Sequence, residues 1–230
     1  MLYELRKYQV MPGKMPALLD RFGSFTVPHW HARGFNLVGF WTADIGGANN
    51  ELTYILGWES VEERIAKFGT WQASPERLAK WEETERDGPL VYRVHNLLMQ
   101  PTAFSQLDQG IAYGPDAAGR APYLFEWREY DAMPGKTAPM VKRFDDFVVG
   151  CFKGHGFRQV GYWTPLLGGH NGQLIYLLAW ESHEERIRRF QEFQADPEWR
   201  RVMADTERGG PLVERIATQM LRPTAFSPLR

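Results

Sequence analysis

The sequence of 230 residues contains a single cysteine, Cys151. It cannot close an internal disulfide, so burial and hydrogen bonding must hold the fold, as suits a reducing compartment. Net charge is equally scarce, with 27 Lys and Arg against 28 Asp and Glu for a formal charge of −1. A chain without a cationic surplus has no field to collect nucleic acid or an acidic membrane surface, and neither is expected as a partner. No apolar run approaches the ~20 residues needed to cross a bilayer. The opening MLYELRKYQVMPGK alternates and carries early charges, unlike a signal peptide, so a cytoplasmic location is expected. Also missing are GxGxxG, a Walker motif, HExxH, a CxxC pair and a Ser-His-Asp elbow, and the Gly46-Gly47 pair has no helix start after it to make a phosphate loop. Aromatic residues are not scarce: they make up 14% of the chain, with 9 Trp and 14 Phe. That much ring surface suits aromatic-lined cores or cavities.

The chain is a tandem repeat. MPGK at 11–14 returns at 133–136, and GFNLVGFWT at 34–42 returns as GFRQVGYWT at 156–164. GWESVEERI at 57–65 returns as AWESHEERI at 179–187, and PTAFS at 101–105 as PTAFS at 223–227. Roughly 49 of 106 aligned positions are identical, which marks a duplicated unit. The expected division is a first repeat at 1–105, a linker at 106–121 rich in Gly, Ala and Asp, and a second repeat at 122–230.

Each repeat reads βαββαβ. Residues 3–10 alternate as a strand, and Leu18, Phe22 and Phe25 then recur at helical spacing, with Pro28 and Gly34 expected to bracket the helix end. Residues 36–42 and 51–59 read as strands around a GG turn. Ser60 with Glu63, and Ser182 with Glu185, are capping boxes opening a helix that should turn Ile65 and Phe68 inward. Ser74-Pro75-Glu76 and Asp196-Pro197-Glu198 start a further helix, and 90–99 reads as the fourth strand. In strand two Leu37 and Trp41 should point one way and Val38 and Phe40 the other; in strand three Leu52, Tyr54, Leu56 and Trp58 should oppose Ile55. A sheet apolar on both faces needs a layer on each. The expected fold is therefore α+β: two ferredoxin-like repeats packed sheet to sheet as a pseudo-two-fold barrel within one chain.

YELRKY at 3–8, the MPGK turn, GFWTADIGGANN and LLMQPTAFS, matched by FEWREY, GYWTPLLGGHNG and MLRPTAFSPL, resemble the NIPSNAP family. The resemblance spans nearly the whole chain outside the linker. It implies membership of the dimeric α+β barrel superfamily, whose members include cofactor-independent monooxygenases, haem-degrading enzymes, isomerases, dehydratases and simple ligand binders. Fold-level analogy of this kind does not choose among them.

Four sets of residues could carry chemistry. His29 and His31 flank Trp30; on an extended segment their imidazoles would share a side and could hold a metal or haem iron, whereas on a helix they would diverge into solvent. Glu4, Arg6 and Tyr8, with Glu126, Arg128 and Tyr130, share one face of the first strand of each repeat. There Arg could hold an anion and Tyr donate a proton, or the trio could be a structural ion-pair network. Trp41, Tyr54 and Trp58, matched by Trp163, Tyr176 and Trp180, could enclose a planar apolar ligand or simply fill the core. His155 and His170 could be further ligands or bases, or simply solvent-facing side chains, whereas Glu59 with Arg64, and Glu181 with Arg186, read as local charge partners and Cys151 as a buried or inert thiol. Two function classes follow. One is an enzyme acting on a small apolar or aromatic molecule in a half-barrel cavity, with no cofactor demanded by any motif and haem or a transition metal open. The other is a ligand-binding or scaffold protein with filled cavities. A homodimer of the fused pair is compatible with either.

Overall fold

The computed structural model describes residues 1–107 and 122–230, so most of the expected linker lies outside the described residues. The strands are β1 (Leu2–Val10), β2 (Asn36–Ile45), β3 (Glu51–Trp58), β4 (Val91–Pro101), β5 (Leu124–Ala132), β6 (Arg158–Leu167), β7 (Gln173–Trp180) and β8 (Val213–Pro223). They close an antiparallel barrel in the order β1-β3-β2-β8-β5-β7-β6-β4. Each half supplies four neighbouring strands, and two hydrogen-bonded seams join the halves. In one seam Trp41 lies opposite Pro223 in β8, and in the other Pro101 of β4 lies opposite Trp163 in β6. The halves therefore bond edge to edge as well as burying their inner faces together, which leaves no free strand edge among the described residues.

The barrel interior draws on both halves. Tyr3, Leu5, Trp41 and Ile55 meet Phe125, Trp127, Trp163 and Leu177 in one core. The Trp127 and Trp163 ring centroids lie 6.0 Å apart, and Trp41 lies 5.4 Å from Phe125. The outer faces are covered by helices, over Leu52, Tyr54, Leu56 and Trp58 in the first half and over Leu174, Tyr176, Leu178 and Trp180 in the second. Strand three alternates as its sequence predicts. Strand two does not: its register shifts between Leu37 and Gly39, so Val38 joins Trp41 inside the barrel while Leu37 and Phe40 face the helices. A bulge adds one residue and inverts the phase of everything before it. Gly39 lies directly under the Trp41 ring, where a Cβ would collide with two of its atoms.

The first helical stretch also departs from expectation. Helix α1 (Met15–Arg21) passes through a π-helical turn (Phe22–Thr26) into α2 (Val27–Ala32), so Pro28 sits inside the stretch. The Val27 amide donates to the Phe22 carbonyl, five residues back. The π turn re-phases the ladder just before Pro28, so the helix continues past a residue that has no amide to give it. The second half repeats this with α5 (Thr137–Arg143), a π turn (Phe144–Val148) and α6 (Val149–Gly154).

Helices α3 (Val61–Gln72) and α4 (Pro75–Thr84), and α7 (His183–Ala195) and α8 (Pro197–Thr206), complete the halves. Ser60 accepts the Glu63 amide at 3.2 Å, and Glu63 reaches back to the Glu59 amide at 2.6 Å. Phe68 is buried as expected, but Ile65 is 60% exposed, because Arg64 beside it turns inward to the carboxylate of Glu4. No helix among the described residues is long and apolar enough to cross a membrane.

Candidate functional site

Alternation along β1 and β5 puts Glu4, Arg6 and Tyr8, and Glu126, Arg128 and Tyr130, on the helix-covered outer face. In the second half Arg128 donates through Nε to Tyr176 (2.8 Å), through NH1 to Glu126 (2.6 Å) and through NH2 to Tyr130 (3.2 Å). Glu126 also accepts from Trp180 Nε1 at 2.9 Å and from Arg186 NH2 at 2.8 Å. The first half reproduces the ladder. Arg6 meets Tyr54 at 2.8 Å, Glu4 at 2.8 Å and Tyr8 at 3.4 Å, and Glu4 takes Trp58 at 3.1 Å and Arg64 at 2.7 Å. Arg64 and Arg186 are thus partners of the strand carboxylates and not of Glu59 and Glu181.

Electrostatics fixes the charge states. For Arg128, burial alone would lower the pKa, but Tyr176, Tyr130 and Glu126 overcome it and leave it raised. Burial holds the Tyr176 phenol protonated, well above its ordinary range. One carboxylate set against two guanidiniums leaves each cluster with one positive charge in excess.

The two copies part company above this ladder. In the second half a cavity of about 540 Å³ opens between the sheet and the α7–α8 pair, with Arg128, Tyr130, Arg186, Phe193, Trp199 and Met203 in its wall. The first-half space beside Arg6, Tyr8, Trp71 and Trp81 measures about 40 Å³, while Arg64, the counterpart of Arg186, lines a separate cavity of about 240 Å³ with Glu4 and Leu98. The sequence explains the difference: Trp71 and Trp81 stand where the second half has Phe193 and Met203. Trp71 packs edge-on against Trp81 at 6.1 Å, and the Arg77 and Arg21 guanidiniums stack on Trp81 at 4.3 and 4.0 Å. With these indoles gone, Trp199 lies flat against Phe193 at 4.8 Å and the cavity stays open.

The other expected site residues scatter. His29 and His31 lie on α2, a helix, so their rings diverge. His29 donates through Nδ1 to the Phe25 carbonyl at 2.7 Å and lies against the Phe25 ring, while His31 is exposed. The metal or haem pair expected of an extended segment is therefore not assembled, because the π turn lets the helix continue past Pro28. Trp30 between them is a core side chain, stacked on Phe35. The aromatic array divides between compartments: Trp41 and Trp163 lie inside the barrel, while Tyr54, Trp58, Tyr176 and Trp180 belong to the outer ladders. The expected half-barrel ligand cage is thus split by the sheet. His170 is exposed in its hairpin, 4.0 Å from Asp131. Cys151, expected as a buried or inert thiol, is half-buried with its Sγ 3.7 Å from Asp196 Oδ2. Burial first, then Asp196, pushes its thiol up to about 11, so it is no nucleophile at neutral pH. Of this cavity's wall, Arg128 and Tyr130 are among the expected candidates, whereas Phe193, Trp199 and Met203 are not; the signal for them is the absence of Trp71 and Trp81 from the second copy.

Comparison with known proteins agrees with this architecture. The chain is 25% identical over 240 residues to human Protein NipSnap homolog 3A, covering 99% of this chain and 85% of that protein. Among solved structures, a monooxygenase-like protein of Lactobacillus acidophilus superposes with a TM-score of 0.59 at 8% identity, over 97% of this chain and 94% of that one. An anthrone oxidase-like protein superposes with a TM-score of 0.58 at 14% identity, over 97% and 93%. At such identities these structures share the fold alone. The NIPSNAP family model matches residues 3–106 and again 125–228. The chain belongs to the NIPSNAP family, with two copies of its unit closed into one barrel.

Proposed function

We propose that the second half is the working one, and that its cavity binds a small molecule with an apolar or aromatic body and one anionic group. The carrying observation is the contrast of about 540 Å³ beside Arg128, Tyr130, Phe193 and Met203 with about 40 Å³ beside their counterparts Arg6, Tyr8, Trp71 and Trp81. Ligand sites commonly occupy ~300–1,000 Å³ and combine apolar walls with a few placed polar groups. Phe193, Trp199 and Met203 supply the walls, while Arg186 and the excess positive charge of the Arg128 cluster supply the polar end. An anion there gains charge-assisted hydrogen bonds in partly dry surroundings.

Between the two function classes, binding is favoured over catalysis. Arg128 and Tyr176 are both moved away from neutrality, whereas general acid–base work wants a pKa near the operating pH. The names of the fold neighbours point toward oxidation of an aromatic substrate, and an oxygen-handling role would use this same cavity. The reading takes each half as a ferredoxin-like repeat, 1–105 and 122–230, in a cytoplasmic protein.

The test uses anilinonaphthalene sulfonate, an apolar anion whose fluorescence reports binding, with naphthoate as competitor. Met203→Trp restores the first half's filling at a partly exposed wall position. It should weaken binding at least tenfold, about 1.4 kcal/mol, while leaving the unfolding midpoint in place. Equal affinity in wild type and Met203→Trp would refute the assignment.

A further inference from the structure

On the far side of α8's first turn lies a second cluster that the cavity above does not use. Cys151 and His155 are four residues apart, on α6 and at its C-cap, and this spacing stacks their side chains on one face. Asp196 comes from the N-cap of α8. Its Oδ1 accepts the Glu198 amide at 2.8 Å and the Trp199 amide at 3.4 Å. That leaves Oδ2 turned toward α6, where it accepts from His155 Nε2 at 2.8 Å and lies 3.7 Å from Cys151 Sγ. The sulfur, nitrogen and oxygen all lie within 4.8 Å of one another. They border a shallow cavity of about 500 Å³ whose wall includes two further carboxylates, Asp146 and Glu198.

We propose that Cys151, His155 and Asp196 form a binding site for a divalent transition-metal ion of the zinc class, which ties the end of α6 to the start of α8 and leaves a coordination position open to the cavity. Zinc sits about 2.3 Å from sulfur and about 2.0–2.2 Å from nitrogen or oxygen, so neighbouring tetrahedral ligands lie roughly 3.3–3.6 Å apart. The sulfur–oxygen separation already fits. The nitrogen–oxygen pair, now hydrogen-bonded, must part by roughly half an ångström as the ion replaces the proton. A thiolate and an imidazole beside one carboxylate select zinc, cobalt and their neighbours over magnesium or calcium, which prefer all-oxygen shells. Asp146 and Glu198 add negative charge around the entrance.

The first half is the internal control. Its equivalent positions hold His29, Arg33 and Ser74. Arg33 there approaches Glu76 at 3.7 Å and stacks over Trp71, and Ser74 caps α4 through the Arg77 amide. The same scaffold therefore folds without the donor set, so the α6–α8 junction does not require sulfur, imidazole and carboxylate to converge.

The experiment titrates metal-stripped protein with cobalt(II), then displaces it with zinc. One equivalent should saturate, giving visible ligand-field bands and a sulfur-to-cobalt charge-transfer band. Cys151→Ser should abolish the charge-transfer band, and Asp196→Ser should weaken binding at least tenfold. Asp196→Ser keeps a capping hydroxyl, as Ser74 does, so α8 should remain folded by circular dichroism. His29→Ala with His31→Ala should titrate like wild type. Absence of a saturable cobalt spectrum, or identical titrations for wild type, Cys151→Ser and Asp196→Ser, overturns the proposal. The readout is independent of the ligand cavity, so either assignment can fail alone.

Discussion

Replacing Glu126 by Gln tests the ladder at its most enclosed atom. The side chain has no exposed surface, and its two oxygens receive Arg128, Arg186 and Trp180. Gln has the same shape but carries a donor at one end. In one orientation its amide nitrogen faces the Trp180 N–H, and in the other it faces the NH1 of Arg128, so either flip sets donor against donor. It also strips a buried guanidinium of its only carboxylate partner among the described residues, a change that typically costs about 3–5 kcal/mol. The Arg186 side chain is partly exposed and can swing to water, which places the expected loss near the lower end, about 3 kcal/mol. In a chain of this size that corresponds to a fall in Tm of roughly 6–12 °C. Urea and thermal unfolding of the full chain measure it. Both seams are hydrogen-bonded ladders, each with a single register shift, and the barrel core is shared, so the halves should unfold together in one transition. Glu4→Gln, facing the same geometry from Arg6, Arg64 and Trp58, should cost a similar amount. The sharper consequence concerns binding: Glu126→Gln leaves two guanidiniums without a carboxylate, so a folded variant should hold anilinonaphthalene sulfonate more tightly than wild type. A loss within about 0.5 kcal/mol, the range of a surface change, would refute the claim that this ion pair acts as a buried unit.

Two further outcomes follow from the same geometry. For the Glu4 carboxyl, burial would raise the pKa, but the Arg64 and Arg6 contacts outweigh it and hold it below the ordinary carboxylate range. A depressed folded value means stability that is complete above the unfolded pKa of about 4.3 and lost as pH falls through the folded value. Urea unfolding between about pH 6 and pH 3 should therefore show a shallower acid decline for Glu4→Gln than for wild type, and parallel declines would contradict it. Inside the barrel, a Cβ at Gly161 would fall 2.6 Å from two Trp163 ring atoms, and that ring is hemmed in by Trp127 and Tyr3. Gly161→Ala should cost about 1–3 kcal/mol by overpacking, read by urea unfolding, even though Ala restricts the unfolded chain; a stabilised variant would show that the indole has room to move.

What could be read from the residues was whatever depends on near neighbours. The strand faces of β3, the capping boxes at Ser60 and Ser182, and the duplication itself all rest on local spacing, and the structure keeps them. Features that hang on one inserted residue escaped. The bulge between Leu37 and Gly39 moved Val38 into the barrel, and the π turn carried the helix past Pro28, separating His29 from His31. Long-range convergence escaped too. The four-residue spacing of Cys151 and His155 was visible, but Asp196 reaches them only because α8 starts beside the end of α6.

The halves also allow a division of labour to be argued residue by residue. Whatever both copies share, from Glu4 and Glu126 to Gly39 and Gly161, serves the closed barrel and its outer ladders, since removing it from either half would damage the same kind of contact. Where the copies differ, the barrel imposes no choice, because the first half folds with Trp71, Trp81, Arg33 and Ser74 and the second with Phe193, Met203, His155 and Asp196. The first set fills space and pairs charge. The second opens a cavity above a positive cluster on one side of α8 and gathers three metal-type donors on the other. Both departures meet on one helix, through Asp196, Trp199 and Met203. A ligand on one side and an ion on the other would therefore sit against the same helix α8, an arrangement the first half has no residues to make.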